Sequence, residues 1–152
     1  MTDTLKATIQ HDLHDSMRQR DQVRSSTLRM VLAAITTEEV SGDTARTLAE
    51  DETLKVVAKE AKKRREASSA YTDAGRPELA AKEDAELEVL QGYLPEQLDD
   101  AALAAIVDRA IASTGATGMA QMGQVMKVAQ GEVAGRADGG AVAAMVKARL
   151  GS

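Results

Sequence analysis

Leu5, Ile9, Leu13 and Met17 recur every fourth position with polar residues between them, the spacing of one apolar stripe on a helix. This predicts a first helix over residues 4–20. Leu28, Val31, Leu32 and Ile35 mark a second over 22–40, stopped at Ser41-Gly42. Thr47 followed three positions later by Glu50 reads as a capping box, opening a long third helix to about residue 74. Gly75 and then Pro77 place a glycine past one helix and a proline in the first turn of the next, over 77–92. Pro95 disfavours an α conformation at Leu94, so the pattern breaks at Tyr93-Leu94-Pro95. Three shorter helices follow: 99–113, capped by Asp99 and ended by Gly115, then 119–130 and 139–150, the last two joined by a glycine-rich stretch.

The fold class expected is all-α, with a four-helix N-terminal unit (1–94) and a three-helix C-terminal unit (95–152). Tyr93, Leu94 and Pro95 would form the hinge, the first two wedged between units whose relative angle varies. The chain has two tyrosines, no Phe and no Trp, so its core must come from Leu, Val, Ile, Met and many alanines. Small side chains of high helix propensity favour closely packed helices over a sheet. The same scarcity removes the aromatic platforms on which single-stranded RNA stacks. Absence of cysteine excludes disulfides, zinc-thiolate sites and a thiol nucleophile, and suits a reducing compartment. No stretch approaches the roughly 20 apolar residues of a membrane span, and the start lacks a signal-peptide core. A cytoplasmic protein with no membrane association is expected.

Candidate chemistry is sparse. His11, His14 and Asp15 share a helix at a spacing that could ligate a metal, but such a group on an amphipathic helix also reads as a solvated face. Ser25-Ser26 lacks the context of a nucleophile elbow. Neither a metal site, a cofactor nor a catalytic residue is assigned. On the third helix Leu54, Val57, Ala58, Ala61 and Ser68 define the inward face, which places Arg65 inward and Lys63 in solvent. Arg65 and Glu86 stand at one level of a hairpin that turns at 74–77, so they are expected to form an interhelical ion pair, with Glu83 as second choice for Arg65.

Net charge is −5, which counts against general nucleic-acid binding and against DNA, yet residues 115–152 carry a local excess of two positive charges. Gly135–Gly140 leads into the last helix, whose free N–H groups favour an anion. Arg136 could add a bidentate phosphate donor, while Asp138 reads as the cap of that helix. Val142, Met145, Val146 and Leu150 form a buried stripe that leaves Lys147 outward, and Arg149 complements the dipole of the last turn. Met122, Val125, Met126 and Ala129 read as core, with Lys127 beside them.

Lys62-Lys63-Arg64-Arg65, Ala74-Gly75-Arg76, Glu86 and Tyr93-Leu94-Pro95-Glu96-Gln97-Leu98 together resemble the GatB/YqeY family. Met122-Gly123-Gln124-Val125-Met126-Lys127 and Gly135-Arg136-Ala137-Asp138-Gly139 extend the resemblance along practically the whole chain. The family shares its fold with the tail of GatB, the tRNA-dependent amidotransferase subunit in which glutamine hydrolysis and amide transfer lie in other domains. The resemblance implies a non-catalytic accessory module that binds tRNA, an aminoacyl-tRNA synthetase or amidotransferase subunits. For a C-terminal unit that grips tRNA as the resemblance implies, Lys127, Arg136 and Lys147 are the expected contacts, Lys147 because helical geometry leaves it outward and the other two because they flank the glycine-rich segment. Two alternatives stand beside it: a protein–protein adaptor without RNA contact, and a carbon–nitrogen ligase using glutamine as amide donor.

Overall fold

The computed structural model describes residues 3–151, which form seven α-helices and one 3-10 turn with no strand among them. The chain divides into two compact units on either side of the Leu94–Pro95 bond. No described helix is long and apolar enough to cross a membrane.

The N-terminal unit holds α1 (Leu5–Arg18), α2 (Gln22–Glu39), α3 (Glu50–Asp73) and α4 (Pro77–Gln91). Thr4 caps α1 by accepting the N–H of Ala7 at 3.1 Å, and the Glu50 carboxylate from α3 takes the N–H of Leu5 at 3.0 Å. Asp21 caps α2 through the N–H of Arg24. Between these helices the buried hydroxyls of Ser16 and Ser25 meet at 2.8 Å. That pair turns the α1 stripe away from the expected one: Ile9 and Ser16 are buried, whereas Met17 is 50% exposed. Two small hydroxyls that satisfy each other can be buried, and apolar spacing alone does not register them.

α3 starts later than the Thr47 capping box predicts. Its first turn closes on Ala49, whose N–H is accepted by Glu52 at 3.1 Å, while Arg46 grips the same carboxylate at 2.9 and 2.6 Å. Those bonds hold the Glu52 carboxyl down at a pKa of about 2, the Arg46 hydrogen bond contributing most. Gly75, in the left-handed region at φ 73°, ends the α3 side of the hairpin, and Pro77 opens α4 at its first position. Ile9, Leu28, Val31, Ile35, Val57 and Leu90 form the centre of the core.

α4 stops at Gln91, and its last turn unwinds through bonds from Tyr93 N–H to Leu90 and from Leu94 N–H to Gln91. No helix passes through Pro95. Tyr93 and Leu94, expected as a wedge between units, pack on the core of the N-terminal unit. The Tyr93 hydroxyl is committed there too, to Asp12 and Arg24.

The C-terminal unit holds α5 (Asp100–Thr114), the 3-10 turn (Met119–Gln121), α6 (Met122–Val133) and α7 (Gly139–Leu150). Asp99 caps α5 through Ala102 N–H at 2.7 Å, and Gly115 ends it at φ 68°. α6 runs three residues past its predicted end, through Gly131: a glycine costs a helix roughly 1 kcal/mol but does not stop it. Ile106, Val107, Val125, Ala129, Val142 and Val146 make the core, with Met122, Met126 and Met145 partly buried at its margin.

Candidate functional site

The three cations expected to meet phosphate are treated differently by the fold. Lys127 on α6 and Lys147 on α7 are exposed and make no ion pair among the described residues. Arg136 is turned back onto α6. Its Nη2 donates to the Glu132 carbonyl at 2.7 Å and its Nε to the Val133 carbonyl at 3.0 Å, so the guanidinium satisfies the helix's terminal acceptors. The backbone around it is used as well: the Arg136 carbonyl accepts Leu98 N–H at 2.8 Å, and Gly135 accepts from Gln97 at 3.5 Å. The glycine-rich segment is therefore a strap holding residues 97–98. Asp138 occupies the N-cap position of α7, but its side chain makes no cap hydrogen bond to that helix, so the expected carboxylate cap is not formed. Arg149 lies 3.7 Å from Asp108 of α5.

The densest polar site lies between α3 and α4. The inward stripe of α3 is Thr53, Val57, Glu60 and Ala61, and the next position along it is Arg64. The partner expected for Glu86 was Arg65; the structure assigns Arg64, whose Nε is 3.1 Å from Glu86 Oε2 and 3.7 Å from Glu83 Oε2. Glu60 Oε2 is 3.8 Å from Arg64 Nη2 and Glu60 Oε1 is 3.2 Å from Lys63 Nζ. The face expected from Leu54, Val57, Ala58, Ala61 and Ser68 is rotated by one position, or 100°, from the observed one, because Glu60 and Arg64 are drawn inside by each other, and Arg64 by the carboxylates of α4. Lys63, expected in solvent, is half exposed at the edge of this cluster.

One buried guanidinium thus serves three carboxylates, and it does so imperfectly: Arg64 Nε and Glu83 Oε2 are buried without a hydrogen bond. Burial pushes the Glu86 carboxyl above its ordinary range, and the neighbouring Glu83 adds to that, against the pull of Arg64. A carboxyl with a raised folded pKa stabilises the fold below its unfolded value, and that contribution is lost as pH rises through the folded value. Glu86→Gln and the natural chain should therefore match near about pH 4, with the variant gaining relative stability toward about pH 8. Urea unfolding at both pH values checks this; parallel pH profiles would refute it.

The family model described as "Yqey-like protein" matches residues 6–150. The chain belongs to the GatB/YqeY family. It is also 34% identical over 93 residues to an uncharacterized protein of Schizosaccharomyces pombe, covering 60% of this chain and 73% of that one.

Seen on the fold, much of what carries the GatB/YqeY resemblance has structural work. Arg64 and Glu86 join α3 to α4, Gly75 turns the hairpin, and Gln97 and Leu98 are held by Gly135 and Arg136. The groups considered for catalysis are placed otherwise. Ser25 is buried against Ser16. His11 pairs with Asp15 at 3.3 Å on an exposed face, and no three His, Asp or Glu side chains among the described residues could hold one metal ion.

Apolar spacing and turn signals gave no indication of a second polar group. Tyr93 donates its hydroxyl to Asp12 Oδ2 at 2.5 Å and accepts from Arg24 Nη2 at 3.3 Å. Burial, and next the Asp12 carboxylate, raise the phenol's pKa well above its ordinary value. Residues 81 positions apart meet here, which local patterns cannot foresee.

Proposed function

We propose that this GatB/YqeY protein is a non-catalytic binding module of the cytosolic tRNA-linked amidotransfer machinery, touching tRNA through Lys127 and Lys147 of its C-terminal unit. The observation that carries this reading is a family match running through both units, joined to two exposed lysines that make no ion pair among the described residues. With two tyrosines and no other aromatic residue, contact falls to phosphate and sugar, not to stacked bases. Arg136 acts as a positioning residue that closes α6 and holds the strap. The partners that fit are tRNA and the synthetase or amidotransferase subunits that handle it.

Two phosphate contacts imply a shallow salt dependence, about −1.4 to −1.8 in log K against log salt. Lys127→Glu with Lys147→Glu should weaken binding of total tRNA by about tenfold or more at low salt, while Lys63→Glu leaves it within about twofold. Filter binding at two salt concentrations, with circular dichroism to show intact helices, reads both effects. No binding by the natural chain at low salt, or unchanged binding by the double reversal, would overturn the RNA reading. The adaptor reading would then take its place, favoured by the net charge of −5 and by exposed Val23 and Met30 on α2.

A further inference from the structure

We propose that the depression beside Tyr93 in the N-terminal unit binds a free α-amino acid, with basic side chains preferred. Asp12 of α1, Arg24 of α2, Glu88 and Val89 of α4, and Tyr93 line a space of about 350 Å³. That size lies at the lower end of small-molecule sites, about 300–1,000 Å³.

Opposite charges share this space, and neither is fully used. Arg24 Nη2 stands 3.5 Å from Asp12 Oδ2, and the Tyr93 hydroxyl donates to that same oxygen. Among the described residues nothing pairs with Asp12 Oδ1, nor with Nε and Nη1 of Arg24. A guanidinium with free donors takes a carboxylate in two parallel bonds, and an open carboxylate oxygen takes an ammonium. An α-amino acid presents both groups on one carbon. Tyr93 fixes the Asp12 carboxylate in place, which lowers the ordering cost of binding.

Glu88 sets the preference. It is exposed, lines the same space and makes no ion pair among the described residues, leaving the lining with one negative charge in excess. Val89 and Ala85 supply an apolar wall for an aliphatic stem, with Glu88 for a charge at its end. The site lies within the N-terminal unit and uses neither Lys127 nor Lys147, so it stands or falls apart from RNA binding.

The test is a titration of the ¹⁵N-labelled full chain followed by NMR, with L-lysine, L-norleucine, Nα-acetyl-L-lysine and L-lysine methyl ester as probes. L-Lysine should shift the amides around Arg24, Val89 and Tyr93 saturably below concentrations on the order of 10 mM. Blocking either backbone group should weaken it by about tenfold or more. Arg24→Gln and Asp12→Asn should each abolish the shifts, while Glu88→Gln should bring lysine and norleucine to equal affinity. Absence of saturable shifts, equal binding of the blocked lysines, or undiminished binding by Arg24→Gln would each overturn the proposal. Should Arg24→Gln fail to fold, the four ligands compared on the natural chain decide alone.

Discussion

Arg64→Ala should destabilise the N-terminal unit by about 3–5 kcal/mol, whereas Arg65→Ala, one residue on, should cost under about 1 kcal/mol. Glu60 and Glu86 are 8% and 6% exposed, and Arg64 is the one guanidinium within 4 Å of these carboxylates and Glu83 among the described residues. Removing it leaves charges that have shed most of their water without the cation that compensates them, the costly way to break a buried pair. The Arg64 head also reaches Met30 Sδ at 3.6 Å, so some packing is lost with it. The loss should grow from acid to neutral pH as the Glu86 carboxyl, raised by burial, ionises. It should shrink when Glu83→Gln and Glu86→Gln are added to an Arg64→Met background, which removes two charges and fills the space. Denaturant unfolding at neutral pH measures all of these. Equal costs for Arg64→Ala and Arg65→Ala would show that the cluster does not hold α3 to α4.

Leu28→Ala should cost about 2–5 kcal/mol, and Leu28→Met less than about 1.5 kcal/mol. Leu28 is fully buried on α2, in a core shared with Ile9, Val31, Ile35, Val57 and Leu90. These residues are aliphatic and shape-restricted, and Tyr93, the aromatic ring packed against them, is tethered by its hydroxyl to Asp12 and Arg24 and so is not free to slide into the space left behind. Each kcal/mol lowers the melting temperature of a 60–100-residue unit by about 4–8 °C, so the alanine variant should melt well below the natural chain. Calorimetry resolves this directly, and a fall of only a few degrees for Leu28→Ala would mean that the core collapses around the vacancy. Methionine conserves volume and should keep the transition cooperative.

The helices, their order and most of their ends were legible because each rests on local signals. The stripe on α2, the Gly75–Pro77 punctuation, the Asp99 cap and the arrest before Pro95 are each set within a few residues. Where α3 begins was not legible, because Glu52 is held by Arg46 and by the Ala49 N–H, and Ala49 has no side-chain acceptor by which a local rule would choose it over Thr47. Of the expected cation site, the outward positions of Lys127 and Lys147 follow from helical angles alone. The fate of Arg136 does not, since the αL turn at Ala134 and Gly135 brings its side chain back to the end of α6.

The amino-acid order alone therefore determined an all-helical chain, the break at Pro95 and the family, since periodicity, caps and motif spacing are properties of neighbours in sequence. Tertiary structure decided which charged residues go inside. Glu83 and Glu86 read as partners of Arg65, and nothing local singles out Glu60 or Arg64, until α3 and α4 are laid together, because a charge is buried only where another element supplies its counter-charge. The same holds for Asp12, Arg24 and Tyr93, which come from separate helices and the turn after α4. Their shared polar site exists only once the bundle has closed.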